Sequence, residues 1–207
     1  MAYRHKNKNM KKIACLLVLN LLTSLAFSQE FNKNLGAART AYASGNLSNS
    51  RFAMEQMLRE LDEAIAKEIL KLLPPKMDAL TANLKQDNTT ATGSSLGLYV
   101  QRTYGAAGKS ATVDVVNNSP LITSLNALLA IPFVANAGDG NQKVVRIQGY
   151  KAILNKDQNT DSGKTGYELQ IPLQNTLVTF KMEDTKEADM LRLAGTLPLE
   201  KIAAIAK

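Results

Sequence analysis

The chain has 207 residues, 45% of them hydrophobic, and a formal net charge of +7, with one His, one Cys and no Trp. Both His5 and Cys15 lie within the first 28 residues. Removing that segment would exclude the side chains that zinc, copper and haem sites mostly use, and the imidazole of Ser-His-Asp and Cys-His hydrolases.

Residues 1–28 have the pattern of a secretory signal peptide. Two lysines at positions 11 and 12 precede an apolar stretch over residues 13–27, and Ala26-Phe27-Ser28 forms a small-x-small cleavage site. The apolar stretch has 15 residues, fewer than the roughly 20 that a membrane-spanning helix needs. We therefore expect cleavage near Ser28 and export to the periplasm or out of the cell.

Most of the net positive charge comes from this leader. Residues 1–28 hold five of the 25 Lys and Arg and no acidic side chain, which leaves 20 basic against 18 acidic residues, a net charge of +2. The remaining basic residues alternate with acidic ones and form no stripe that could follow a phosphate backbone. We therefore expect no nucleic-acid partner.

Residues 29–83 are predicted to form an antiparallel helical hairpin. The first helix carries apolar residues at steps of four, three and four, namely Phe31, Leu35, Ala38 and Tyr42. Ser44-Gly45-Asn46 ends it, and Ser48 or Asn49 is predicted to cap the second helix. The apolar stripe of the second helix comprises Met54, Leu58, Leu61, Ile65, Ile69 and Leu72. Pro74-Pro75 ends this helix.

The segment from Ala38 to Leu47 resembles the first helix and turn of a tetratricopeptide unit, with Ala53 near a small-residue position of the second helix. No second copy follows at the 34-residue period of such arrays. A single unit cannot bury its own apolar face. The hairpin is therefore expected to dock either on its own C-terminal domain or on another protein.

Residues 84–95 are almost entirely polar and are predicted to be a linker or loop. An α+β domain is predicted over residues 96–207, because the apolar period changes to two from Leu96 onward. Two strands near Leu98–Arg102 and Val113–Val115, a helix after Ser119-Pro120, three more strands and terminal helices give the order ββαβββα. The last three strands and the terminal helices are Lys143–Leu154, Tyr167–Leu173, Thr176–Met182, Lys186–Leu193 and Leu199–Ala206. Short turns predict an antiparallel five-stranded sheet with helices on one face.

The helix predicted from Leu121 to Val134 is apolar nearly all round. Such a helix is either fully buried or borders an apolar groove. A groove between helix and sheet would suit a lipid or another apolar ligand.

Val145–Ala152, the Ser119-Pro120 helix and the short terminal helix together resemble a group of uncharacterised exported bacterial proteins with an N-terminal hairpin and a C-terminal α+β domain. The resemblance spans most of the chain after the leader. It implies a periplasmic location and no known activity.

The segment from Asp157 to Glu168 resembles an EF-hand calcium loop. Asp157, Asn159 and Asp161 occupy the first, third and fifth positions, and Glu168 the twelfth. The sixth position, which favours glycine, is Ser162, and the flanks are predicted strands rather than helices. The alternative is a long polar hairpin loop.

These patterns predict an exported, non-enzymatic binding or assembly module that acts through its helical hairpin or a helix–sheet groove. An envelope protein, an apolar ligand or a second copy of the chain would be its partner. The alternatives are a lipid carrier, or an enzyme that uses carboxylates, lysine or a calcium-type cation, since no predicted catalytic arrangement stands out.

Overall fold

The computed structural model describes residues 29–91, 97–131, 141–159 and 164–206, without the side chains of 158 and 159. The predicted signal peptide lies outside these residues. The described part contains five α-helices, a seven-stranded antiparallel sheet and a two-stranded ladder, which confirms the α+β class. The chain divides into two compact units between Glu60 and Leu61.

The first unit contains helix α1 and the first part of helix α2, which pack together as predicted. Helix α1 covers residues 29–43, and α2 is Leu47–Leu72. Gly45 adopts φ +77°, and the Asn46 N–H donates to the Ala41 carbonyl at 2.9 Å, which is a Schellman ending. The Asn46 side chain then accepts from the Asn49 N–H at 3.1 Å. The cap of α2 is thus Asn46, because the helix begins earlier than Ser48 or Asn49 would allow.

Small side chains hold α1 and α2 close together. Ala38 and Ala53 are buried, and the buried Ser50 hydroxyl donates to the Ala38 carbonyl at 3.0 Å. Asn34 also donates to the Glu60 carboxylate at 2.7 Å. Small residues at this contact allow the two helix backbones to approach closely. Such a close contact agrees with the tetratricopeptide-like arrangement that the sequence predicts.

The second unit is built around the sheet. Its elements after α2 are β1 (Lys76–Met77), β2 (Leu80–Thr81), a 3₁₀ turn (Leu84–Gln86), β3 (Asn88–Ala91), β4 (Leu98–Ala106), β5 (Lys109–Asn117), α3 (Leu121–Ala130), β6 (Gln142–Ile147), β7 (Tyr150–Asn159), β8 (Lys164–Leu173), β9 (Thr176–Met182), α4 (Glu187–Ala194) and α5 (Leu199–Ile205). The order in the large sheet is β3-β4-β5-β9-β8-β7-β6. All neighbouring strands in it are antiparallel.

The sheet has seven strands where the sequence predicts five. The predicted strand over residues 143–154 divides into β6 and β7, because Gln148 and Gly149 have φ of +50° and +87° and form a tight hairpin turn. Strand β3 lies inside the segment predicted as a loop. It is an edge strand with exposed or half-buried side chains, so its sequence carries no apolar alternation.

Helices pack on both faces of the sheet, which differs from the one-sided prediction. One face contacts α4, α5 and the end of α2, in a core that includes Ile69, Phe180 and Met190. Helix α3 packs on the opposite face, where Ile122, Leu125 and Leu129 meet Ile153 and Leu177. Strand β7 is buried at Ala152, Ile153 and Leu154 in succession, since it contacts helices on both sides.

The described part of the predicted Leu121–Val134 helix ends at Ala130. Its inner side chains pack directly on the sheet, whereas Leu121 and Ile131 are half exposed. Residues 132–134, which the prediction included in this helix, lie outside the described residues.

A buried arginine connects α2 to the sheet. Arg102 lies on the core side of β4, and its Nε and Nη2 donate to the Asp87 carboxylate at 2.9 and 2.5 Å. Its Nη1 donates at 3.0 Å to the Leu73 carbonyl, just after α2. The Tyr104 hydroxyl donates to the Pro74 carbonyl at 3.0 Å. The hydrogen bond to Asp87 raises the pKa of Arg102, so the guanidinium stays charged. Arg102 and Tyr104 thus each satisfy one carbonyl, of Leu73 and Pro74, in the segment that follows the helix.

Replacing Asp87 by Ala is expected to lower the free energy of unfolding by about 3–5 kcal/mol, because it leaves the Arg102 charge buried without its partner. Urea unfolding of the purified protein measures the loss. Glu63→Ala is the matched control, since it breaks an exposed pair with Lys67 on α2 and should cost at most about 0.5 kcal/mol. Equal losses in the two variants would contradict the role given to Arg102.

Burial raises the pKa of Tyr104 from its ordinary value near 10 to about 12. Because the folded protein holds the proton more tightly, this contribution to stability is complete below pH 10 and is lost as the pH rises to about 12. Titration of phenolate absorbance should show one tyrosine ionising near pH 12 that is missing in Tyr104→Phe. Identical titration curves would contradict the assignment.

Candidate functional site

Six large apolar side chains lie exposed on one side of the hairpin in the first unit. We call this surface the hairpin face, and it comprises Phe31, Leu35, Tyr42, Leu47, Met54 and Leu58. Within each helix these residues are four or seven positions apart, and such steps return to the same face of a helix. Their exposed fractions run from 36% for Phe31 to 67% for Tyr42, unusually high for one contiguous apolar set.

 A shallow apolar groove runs between the two helices on this face. It encloses about 280 Å³. The groove is lined by Leu35, Ala38, Arg39, Tyr42, Met54 and Met57. Methionine side chains are flexible and adapt to the shape of an apolar partner. The groove is therefore suited to the side chains of another helix.

The other side of the hairpin is mostly polar or small. A depression there is lined by Asn34, Ala37, Thr40, Ala41, Ser44, Asn46, Asn49, Phe52 and Ala53. Phe52 is 62% exposed and is the one large apolar side chain in that lining. Phe52 is therefore a suitable control residue, because it resembles the residues of the hairpin face in size and exposure but lies on the opposite side.

The charges around the hairpin are nearly balanced. Over residues 29–60 the chain has four basic side chains, Lys33, Arg39, Arg51 and Arg59, and three acidic ones, Glu30, Glu55 and Glu60. Exposed ion pairs join Lys33 to Glu30 at 3.1 Å and Arg51 to Glu55 at 3.0 Å. The surface therefore carries no strong field that would select a highly charged partner.

The second unit has a polar surface on the sheet face that carries α3. The Tyr99 hydroxyl and the Gln101 amide both donate to Asp114, at 2.7 and 2.8 Å. Lys181 lies 2.9 Å from Glu168, whose hydrogen bond raises the pKa of the lysine. These groups satisfy one another across neighbouring strands, which is typical of a solvated sheet face.

A cleft of about 440 Å³ lies at one end of this face. Its polar lining includes Ser110, Thr112, Asp157, Lys164 and Lys181. The Lys164 ammonium lies 3.5 Å from Asp184 and donates to the Gly108 carbonyl at 3.0 Å. Charges of both signs line the cleft, so it presents no single-sign site for an anion or a cation.

The residues predicted to bind calcium lie along two paired strands. Asp157 and Asn159 belong to β7 and pair with Gly166 and Lys164, whereas Glu168 belongs to β8 and pairs with Asn155. Asp161 lies outside the described residues. Within residues 29–91, 97–131, 141–159 and 164–206, no group of three or more His, Cys, Asp or Glu is placed to hold a metal ion. The calcium loop stays a prediction.

Comparison with known proteins gives no relative: the chain matches no protein-family model, no curated protein and no solved structure. Among the helices of the described residues, none is long and apolar enough to cross a membrane. The surfaces of this chain are therefore the basis for any function proposed for it.

The sequence signals found some of these features and missed others. The apolar stripes of the hairpin predicted the hairpin face, since both helices carry them at helical spacing. The Arg102–Asp87 pair was not predicted, although Arg102 follows Leu98 and Val100 at alternate positions and so belongs to the apolar side of its strand. A charged residue within an alternating apolar series is the signal that would have identified it.

The predicted calcium loop has a direct test. If calcium binds, millimolar calcium should raise the Tm of the protein, because a ligand that binds only the folded state stabilises it. The rise should disappear in Asp157→Ala and Glu168→Ala and persist in Asp78→Ala, an acidic residue outside the loop. An unchanged Tm in calcium would contradict the site.

Proposed function

We propose that this protein is an exported, non-enzymatic binding or assembly module whose hairpin face packs against an amphipathic helix of a protein partner. The observation that carries the proposal is the exposure of six large apolar side chains on one side of the hairpin. Burial of such apolar surface against a partner is favourable, because it removes the surface from water.

The shape of the hairpin face favours a helix as the partner. Two rows of side chains flank the groove, one from α1 with Leu35 and Tyr42, and one from α2 with Met54 and Met57. A third helix can place its own row of apolar side chains between them, by the packing of ridges into grooves. Recognition of this kind uses anchors at positions i, i+3 or i+4, and i+7 of the bound helix.

The groove is less suited to an enclosed small ligand. Its volume of about 280 Å³ lies just below the roughly 300–1,000 Å³ of typical small-molecule pockets. Its walls also expose large side chains such as Tyr42, which a small ligand would leave in contact with water. Packing of a helix would cover both the groove and the side chains that flank it.

Site-specific photo-crosslinking in living cells tests the proposal. The photoreactive residue p-benzoylphenylalanine is placed at Tyr42 or Leu58 on the hairpin face, and at Phe52 or Leu84 as controls of similar exposure. We expect defined protein adducts from the two hairpin-face positions and none from the controls, because only the hairpin face is covered by a partner.

The adduct partner is then identified by mass spectrometry, purified and tested for binding. Leu58→Glu should weaken that binding at least tenfold, since it places a charge in an apolar contact, and Phe52→Glu should leave it unchanged. Equal crosslinking from all four positions, or from none, would contradict the proposed function.

A further inference from the structure

We infer that the partner of the hairpin face is a second copy of this chain, so that two hairpins form a four-helix contact about a two-fold axis. This inference rests on the proposed function and names the partner. It depends on three properties of the hairpin: the exposed apolar area, the charge balance and the shape of the groove.

The exposed apolar area approaches what a stable dimer needs. Taking about 200 Å² for a large side chain, the exposed fractions of the hairpin-face residues amount to roughly 600 Å². A standard protein–protein interface buries about 800 Å² on each partner, and its rim is polar. The hairpin face with a rim of neighbouring polar residues therefore has the size of a dimer interface.

The charge balance allows two identical surfaces to meet. In a two-fold contact each charge faces a copy of the same surface, so a strongly charged face would repel itself. The hairpin carries four basic and three acidic side chains over residues 29–60. Two of the basic side chains, Lys33 and Arg51, already pair with neighbouring carboxylates, which further limits repulsion between copies.

The groove makes the surface complementary to itself. The Met54 and Leu58 row of one copy can fill the groove of the other, and the same contact is repeated by symmetry. The tetratricopeptide-like hairpin lacks a neighbouring repeat in its own chain. A second hairpin in the dimer would take the place that the next repeat occupies in an array.

The test uses the chain expressed with its own leader and purified as the cell processes it. Light scattering coupled to size-exclusion chromatography, from about 1 to about 100 µM protein, should give twice the mass of one chain. Leu58→Glu and Tyr42→Glu should raise the dimer dissociation constant at least about 100-fold, because each change occurs twice in a symmetric contact. Phe52→Glu and Leu84→Glu should leave it unchanged.

Circular dichroism of each variant establishes that it is folded, and co-purification of two differently tagged copies from one cell tests the association in vivo. A dimer that Leu58→Glu does not weaken, or a monomer at all these concentrations, would overturn the inference. If the chain is monomeric while positions 42 and 58 crosslink to a different protein, the inference fails and the proposed function stands. If it is monomeric and neither position crosslinks to any protein, both fail.

Discussion

The buried ion pair between Arg102 and Asp87 is the interaction on which the second unit depends most. Arg102 joins three separate parts of the chain, because it binds the carboxylate before β3 and the Leu73 carbonyl after α2 from its own position on β4. A guanidinium provides several donors in a fixed plane, and lysine could not make this set of contacts. The pair therefore fixes where α2 ends against the sheet that follows.

The apolar stripe of α2 meets two different environments along one helix. In the second unit, Ile69 is completely buried in the core. In the first unit, Met54 and Leu58 are half exposed on the hairpin face. The same periodic pattern thus serves packing at one end and leaves a surface at the other, and that surface is the basis for the proposed function.

The sheet combines regularity with one local irregularity that periodicity cannot resolve. Strands β8 and β9 form where alternating apolar side chains predict strands. The bounds of the terminal helices agree with the prediction to within one residue. The polar strand β3 was not predicted, because an edge strand with little buried surface needs no apolar alternation. Its place in the sheet follows from backbone pairing with β4.

The sequence by itself determined the α+β class, the two N-terminal helices and most strands, since apolar periodicity and turn residues are local properties. Only the tertiary structure decided which of those apolar residues are buried. Helix α3 lies opposite the other helices of the second unit, and Arg102 meets Asp87 across fifteen residues of chain. Such contacts depend on which strands become neighbours, and no short segment of the sequence contains that information.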